Sequence, residues 1–352
     1  MRTALFCFAF VAVFSGRAAA DRCAGATSRL ALVFAQLAQG DIASARENLG
    51  PIQAQHPDCP EIILALARMA DETGNAPDAG SLFARYLQLA PQDPRAYTYF
   101  GRFLIERRQY DQADSLSAQA LETNPQDPGV MALRGQILDM KGQPQEGLAL
   151  LERASELDGK DAETEFYLGT MYDRAKRPAE AVRCFKRTVA INPHNARAYD
   201  YLALNLEPLG QVVAAEQAYG KALEVNRPGP HFDAFLDYNY GRFLGKRGDP
   251  KASKFFFDRA VELAPDVRAV WYERAKLNLQ LKNYEQARSD AERAATLRDD
   301  RGIIIDLQIY ALLERVYHRL GDAELAQKYA ELAKKTPVLA RGERQGGSRT
   351  HE

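Results

Sequence analysis

The pattern of apolar and polar residues along this chain repeats with a period of 34 residues. Within each period, apolar residues follow helical spacing at positions 4, 7 and 11, and again at position 24. A period of this length is typical of stacked helical repeats, because one such unit cannot bury its apolar face alone. The nine repeats start at Ala26, Pro60, Pro94, Pro128, Ala162, Ala196, Ala234, Arg268 and Leu307.

Two positions in the repeat hold small side chains. Position 20 is alanine, glycine or serine in all nine repeats, from Ala45 to Ala326. Position 8 is small in most of them, as in Gly135 and Gly169. A bulky side chain at either position would hold two helices apart. The sequence therefore predicts that the two helices of each repeat approach each other closely.

Glycine and proline mark the breaks between these helices. A glycine just past a helix suits the left-handed conformation of a C-terminal cap, and a proline cannot continue a helix. Each repeat is therefore predicted to be a helix, a turn, a second helix and a second turn. Position 15 is glycine in Gly40, Gly74, Gly142, Gly210, Gly248 and Gly321. Position 32 is proline in Pro57, Pro91, Pro125, Pro193 and Pro265.

This combination resembles the tetratricopeptide repeat family over roughly residues 26–336. The resemblance implies an all-α fold, a right-handed superhelical solenoid of about nine helix-turn-helix units. It also implies that the first helices line a concave groove that holds a partner peptide or domain. The run Asn239-Tyr240-Gly241-Arg242-Phe243-Leu244 is similar, more weakly, to the type IV pilus assembly lipoprotein of this family. Arg134 departs from the pattern, because it stands where leucine is expected.

The ends of the chain differ from the repeats. Arg2, a short apolar stretch and the small residues Ala18-Ala19-Ala20 predict a cleaved signal peptide over residues 1–20. The alternative is an uncleaved anchor, but the stretch is too short for one. We expect the solenoid to span residues 21–336, with longer loops at 227–231 and 298–305, and residues 337–352 to form a disordered tail.

These features indicate export, most plausibly to the periplasm, with secretion as the second choice. Cys23 follows Asp21-Arg22 and so lacks a lipobox. The predicted mature chain has no apolar run long enough to span a membrane. Export permits disulfides, and Cys23 and Cys59 are candidates for one, with two unlinked thiols as the alternative. Cys184 is interpreted as a packed core thiol.

Charge and motifs exclude several functions. The chain has 46 basic and 47 acidic residues, and loss of residues 1–20 would leave a net charge of about −3. Non-specific nucleic-acid binding needs a basic face instead. The sequence contains no nucleophile with its base, no glycine-rich phosphate loop and no paired Cys/His spacing typical of a metal site. We therefore expect neither an enzyme nor a cofactor.

The candidate binding residues follow from the family resemblance, which implies that positions 2, 5, 9 and 12 of the first helix point into the groove. Acidic residues at these positions concentrate in repeats two to six and basic residues in repeats seven to nine, with aromatic residues between them. The alternative is that these residues pair along one helix or pack against neighbours. The partner-binding candidates are Arg102, Asp139, Phe166, Asp173, Phe235, Tyr238, Arg242, Tyr272, Lys276 and Arg315.

The functional expectation is a non-catalytic scaffold or adaptor that holds a peptide or a domain of a partner protein in its groove, in the assembly of a cell-envelope complex. Two alternatives stay open at this point. One is a structural solenoid that assembles with copies of itself. The other is a component of envelope polysaccharide handling, in which groove aromatics stack on sugars.

Overall fold

A computed structural model describes residues 22–226, 234–298 and 304–336. Within these ranges the chain forms eighteen α-helices and no strand, which confirms the all-α prediction of stacked helix-turn-helix repeats. The chain falls into two compact units, Met1–Ile191 (unit 1) and Asn192–Glu352 (unit 2). The expected signal peptide, the expected tail, the first long loop and most of the second lie outside the described residues.

The helices follow one another in pairs, each with a first and a second helix. Those of unit 1 are α1 Thr27–Ala38, α2 Ile42–Gln55, α3 Pro60–Glu72, α4 Ala76–Leu89, α5 Pro94–Glu106, α6 Tyr110–Thr123, α7 Pro128–Met140, α8 Pro144–Leu157, α9 Ala162–Arg174 and α10 Pro178–Ile191. Those of unit 2 are α11 Ala196–Leu206, α12 Val212–Val225, α13 Ala234–Lys246, α14 Pro250–Leu263, α15 Arg268–Gln280, α16 Tyr284–Thr296, α17 Asp306–Leu320 and α18 Ala323–Lys335.

Proline and aspartate set the boundary between repeats, as the turn from α6 to α7 shows. Helix α6 ends at Thr123, just before Pro125, because the residue that precedes a proline disfavours helical geometry. Pro128 is the first residue of α7, where its missing N–H would have had no partner. Asp127 caps the helix by accepting the N–H of Val130 at 2.9 Å.

The turn inside each repeat needs one residue in the left-handed conformation. At position 15 the predicted glycines have φ between 69° and 84°. Three repeats have no glycine there, and Arg108, Lys176 and Lys282 adopt φ of 59°, 60° and 65° instead. The turn geometry is therefore common to all nine repeats, and in these three a side chain is held in a conformation that L-residues disfavour.

The small positions bring the backbones of α7 and α8 into contact. A Cβ atom added to Gly147 would lie 2.5 Å from the carbonyl oxygen of Gly135. One added to Gly135 would lie 2.8 Å from the carbonyl oxygen of Gly147. Both distances are too short for non-bonded atoms, so at this crossing even alanine does not fit without a shift of one helix.

The core of each unit runs from one repeat into the next. In unit 1 the fully buried Phe83 and Tyr86 of α4 pack in one cluster with Tyr97 of α5. In unit 2 a second cluster joins Phe257 of α14 to Leu313 of α17. Burial of large side chains between neighbouring repeats is the main favourable term in such a stack.

A disulfide ties the beginning of the described chain to the second repeat. The Sγ atoms of Cys23 and Cys59 are 2.07 Å apart and their Cα atoms 5.0 Å. Both residues are buried, and the Oε2 atom of Glu61 lies 2.8 Å from the sulfur of Cys23. The bridge joins the segment before α1 to the residue that precedes α3, so it holds the first helix pair against the second.

We predict that Gly147→Ala lowers the free energy of unfolding by about 1–3 kcal/mol, because the new methyl group meets backbone rather than a flexible side chain. The matched control is Gly220→Ala in α12, where an added Cβ meets no atom within 4 Å. This control is expected to stabilise the chain by up to about 1 kcal/mol, from helix propensity alone. Urea unfolding followed by circular dichroism measures both changes, and equal midpoints for the two variants would contradict the prediction.

We also predict that Cys59→Ser lowers the free energy of unfolding of the first helix pair by about 4 kcal/mol, because the bridge closes a loop with a sequence separation of 36 residues. Hydrogen exchange of the α1 and α2 amides is expected to accelerate strongly, and that of α7 and α8 to stay unchanged. Addition of a reducing agent should reproduce this effect in the unchanged chain and have no further effect on the variant. Uniform acceleration along the whole chain would contradict a local clamp.

Candidate partner-binding surface

The first helices of consecutive repeats contact one another. In unit 1, α1 contacts α3, and α7 contacts both α5 and α9. In unit 2, α11, α13, α15 and α17 contact each other in series. Each second helix packs instead on the first helix of its own repeat and on that of the next one in its unit. The first helices therefore form a continuous surface in each unit, which we call its first-helix face.

An ion pair shows that the first-helix face of unit 1 is concave. Arg102 Nη1 on α5 lies 2.9 Å from Glu163 Oε2 on α9. These two helices are separated by a whole repeat, and their side chains meet across α7 because the stack curves toward its first helices. The predicted binding residue Arg102 thus already has a carboxylate partner within the chain.

Acidic residues at position 12 pair with cations at the end of the next first helix. In two of the three pairs the carboxylate is much less exposed than its cation, whereas the side chains of Asp71 and Arg107 are about equally buried. In each pair the two residues belong to consecutive repeats. Such pairs link one repeat to the next. The three pairs are Asp71 with Arg107 at 2.7 Å, Asp139 with Arg174 at 2.5 Å, and Glu207 with Lys246 at 2.7 Å.

Asp139 is the most enclosed carboxylate of this series, with 8% of its side chain exposed. Its Oδ2 atom also accepts the hydroxyl of Tyr167 at 2.9 Å. The structure therefore commits this predicted binding residue to the contact between α7 and α9. Asp173 is half-buried and forms no ion pair within the described part of the chain. Phe166 is half-buried and packs edge-to-face on Phe185, with ring centroids 5.8 Å apart.

In unit 2 the predicted cluster consists of a buried aromatic ring under a cation. Tyr238 is only 7% exposed and packs against Phe257, with ring centroids 6.4 Å apart. The guanidinium carbon of Arg242 lies 5.6 Å from the centroid of the Tyr238 ring, within the range of a cation–π contact. Phe235, three residues before Tyr238, is half-buried. The buried ring of Tyr238 thus contacts the guanidinium of Arg242 and helps to fix its position.

The same arrangement recurs one repeat further on. Lys276 Nζ lies 5.4 Å from the centroid of the Tyr272 ring and 2.7 Å from Glu273 Oε2. Burial raises the pKa of Tyr272, and the nearby charge of Arg315 opposes that shift. Arg242, Lys276 and Arg315 all occupy position 9, so they lie in a row along the first-helix face of unit 2, which we call the basic row.

A pocket of about 450 Å³ opens beside the first residue of this row. Its lining combines four apolar residues with three cations and one carboxylate. Sequence reasoning missed it, because Lys246 and Arg247 lie outside the four groove positions of the family. The sequence feature that could have indicated this pocket is a group of three cations within six residues at the end of one helix. The pocket is lined by Leu204, Glu207, Pro208, Val212, Arg242, Phe243, Lys246 and Arg247.

The charges around the pocket are unequally paired. Glu207 is fully engaged, since its Oε1 accepts the hydroxyl of Tyr219 at 2.8 Å and its Oε2 lies 2.7 Å from Lys246. Arg247 lies 3.6 Å from Glu216, and both side chains are about half exposed. Arg242 forms no ion pair with any of the described residues.

The thiol of Cys184 offers little reactivity. It is buried, and burial together with the charge of Glu165 raises its pKa to about 12. The group therefore stays protonated at neutral pH and is a poor nucleophile or metal ligand. This agrees with its interpretation as a packed core residue.

We predict that Asp139→Ala lowers the free energy of unfolding by about 1–3 kcal/mol, because the partly buried hydroxyl of Tyr167 and the guanidinium of Arg174 lose their acceptor. The control is Asp173→Ala, at the same position one repeat later, with an expected change within about 0.5 kcal/mol. Thermal and urea unfolding measure both. Similar losses in the two variants would show that the inter-repeat pair is not what stabilises the stack.

Comparisons with known proteins bear on the family. Two family models, both described as tetratricopeptide repeat, match this chain: one at residues 36–102 and 104–165, the other at residues 166–231 and 241–302. No curated protein matches it. Among the described helices, none has the length and apolar character needed to cross a membrane.

Several solved structures share the fold at low sequence identity. A tetratricopeptide repeat protein from Parabacteroides merdae is 17% identical, with 72% of this chain and 96% of that chain covered and a TM-score of 0.53. The Cut9–Hcn1 hetero-tetramer of APC/C is 13% identical, with 88% and 64% covered and a TM-score of 0.58. PilW, a type IV pilus biogenesis factor, is 17% identical, with 60% and 94% covered and a TM-score of 0.52.

At such identities these structures show the fold alone, whereas the family models match the sequence of nearly every repeat from the first to the eighth. The chain belongs to the tetratricopeptide repeat family and is a protein-interaction scaffold.

Proposed function

We propose that this scaffold holds a partner protein on the first-helix face of unit 2, at the pocket and the basic row. The observation that carries the proposal is the state of Arg242. It rests on the ring of Tyr238 at the rim of the pocket and has no carboxylate partner among the described residues. Arginine with a supporting aromatic is a frequent energetic centre of protein interfaces, because its planar group binds carboxylates through two hydrogen bonds.

The equivalent cations of unit 1 are occupied, which favours unit 2 as the binding surface. Arg102 pairs with Glu163 at 2.9 Å. The guanidinium of Arg68 lies between two rings, 6.0 Å from the centroid of Phe34 and 5.2 Å from that of Tyr99. A partner would have to displace Glu163 from Arg102 and to reach Arg68 between two rings, whereas Arg242 has one ring beside it and no ion pair with the described residues.

The burial of the aromatic residues favours a protein ligand over a glycan. Sugars stack on exposed ring faces, but Tyr238 and Tyr272 are buried and each carries a cation within 6 Å of its ring. What the surface offers to a ligand is charge above an apolar pocket. This combination is typical of an interface with a polypeptide.

We further propose that the protein acts outside the cytoplasm, in the assembly of a cell-envelope complex in the periplasm, with secretion as the second choice. The Cys23–Cys59 disulfide supports an oxidising compartment. The similarity of fold to PilW, a pilus biogenesis factor, is compatible with an envelope role. The predicted signal peptide at residues 1–20 is the remaining support for export.

We predict that Arg242→Glu weakens capture of the partner at least tenfold, because it replaces a cation with an anion, which repels an acidic group of the partner. The fold should persist, with a loss of stability below about 1 kcal/mol, since Arg242 forms no ion pair with the described residues. The control is Arg46→Glu, the same charge change at an exposed position on the second helix α2. Affinity capture from the native extract, scored by mass spectrometry, measures binding, and equal capture by both variants would refute this choice of site.

A photo-crosslinking residue in place of Phe235 or Lys276 tests the proposal directly in the native envelope. A defined protein crosslinked from both positions, and not from Arg46, is the expected outcome. Crosslinks only between copies of this chain would replace the proposal with self-assembly. Crosslinks from neither position would refute unit 2 as the binding surface.

A further inference from the structure

We infer that the pocket and the basic row of unit 2 select an acidic segment of the partner, with one apolar side chain in the pocket and carboxylates on the row. This inference rests on the proposed function and specifies the chemistry of the partner. It goes beyond the expectation drawn from the family resemblance, because the pocket, with Lys246 and Arg247 in its lining, lies outside the expected groove positions.

The pocket has room for an apolar side chain of a partner. Half of its lining residues are apolar, namely Leu204, Pro208, Val212 and Phe243, and its volume is about 450 Å³. The chain also leaves Val213, the neighbour of Val212, 68% exposed. Apolar surface at and beside the pocket would be removed from water when a partner side chain enters.

The rim of the pocket is complementary to a carboxylate. Its single acid, Glu207, has both oxygens occupied by Tyr219 and Lys246. Arg242 has no carboxylate among the described residues, and the Arg247–Glu216 pair, 3.6 Å apart and half exposed, is of the kind that contributes little. An incoming carboxylate would therefore meet two arginines without meeting an unpaired acid.

The row extends this complementarity over three repeats, which favours an acidic segment over an isolated carboxylate. Neighbouring helices lie about 8–10 Å apart, and an extended chain advances about 3.3 Å per residue. Acidic residues about three apart would therefore meet successive cations of the row. Lys276 already has Glu273 at 2.7 Å, whereas Arg315 is exposed, so the strongest contacts are expected at Arg242 and Arg315.

Fluorescence anisotropy with synthetic peptides and the full chain tests this inference. The probe carries one leucine, with a glutamate at every third residue on both sides and glycine and serine between them. Matched peptides replace all glutamates by glutamine, all glutamates by lysine, or the leucine by serine. We expect the glutamine peptide to bind at least tenfold more weakly, the lysine peptide not to bind, and the serine peptide to lose about five- to tenfold.

Protein variants place the effect on named residues. Arg242→Glu and Arg315→Glu should each lower the affinity for the acidic peptide at least fivefold, and Arg46→Glu should leave it unchanged. Affinity should also fall steeply with added salt, because the contacts are between charges near the surface. Circular dichroism of each variant separates loss of binding from loss of fold.

Several outcomes would overturn the inference. They are equal binding of the glutamate and glutamine peptides, no measurable binding of the acidic peptide, or preferential binding of a single-stranded oligonucleotide of equal charge. The two proposals fail separately. If a partner crosslinks at unit 2 but binds independently of charge, only the inference of an acidic segment is overturned. If no partner crosslinks, the proposed function is overturned.

Discussion

Close approach of the two helices in each repeat is the constraint on which the other features of this protein depend. At α7 and α8 it brings the backbones of Gly135 and Gly147 into contact, and in the next repeat an added Cβ at Gly169 would lie 2.7 Å from the ring of Phe185. Positions 5 and 12 lie beside position 8 on the first helix, so position 5 can contact the second helix, as Tyr238 contacts Phe257, whereas position 9 is turned further toward the first-helix face. The packing of small residues thus decides which side chains form the first-helix face.

Charge on that face has two separate roles. Acids at position 12 pair with cations that end the next first helix, as Asp139 does with Arg174, and so contribute to stacking. Cations at position 9 point along the same face but meet an internal acid only in some repeats. Arg102 pairs with Glu163, whereas Arg242 contacts the ring of Tyr238 and lines the pocket, with no ion pair to the residues that the structure describes. Whether a cation at position 9 is paired within the chain therefore depends on whether a neighbouring repeat places an acid beside it.

The repeat period was sufficient to predict the fold class, because small residues, glycine and proline have local reasons for their positions. It could not predict contacts between repeats. Arg134 looked like a defect in an apolar position, but it reaches Asp114 on α6 at 2.5 Å. Asp139 was predicted as a partner-binding residue, and its ion pair with Arg174 of the next repeat could not be read from the period. Lys176 shows a further limit, because the turn imposes φ of 60° on a residue whose type gives no sign of it.

The candidate surface of unit 2 also shows how packing within a repeat orients a charged side chain. Phe257 fixes the ring of Tyr238, and Tyr238 in turn supports Arg242, so the guanidinium is oriented before a partner arrives. Less side-chain freedom is then lost on binding, which raises affinity for a given contact area. Glu207, the one acid that lines the pocket, is held by Tyr219 and Lys246, and Arg242 forms no ion pair with the described residues. Pairing of this acid with other groups of the chain therefore leaves the charge of the arginine at the pocket.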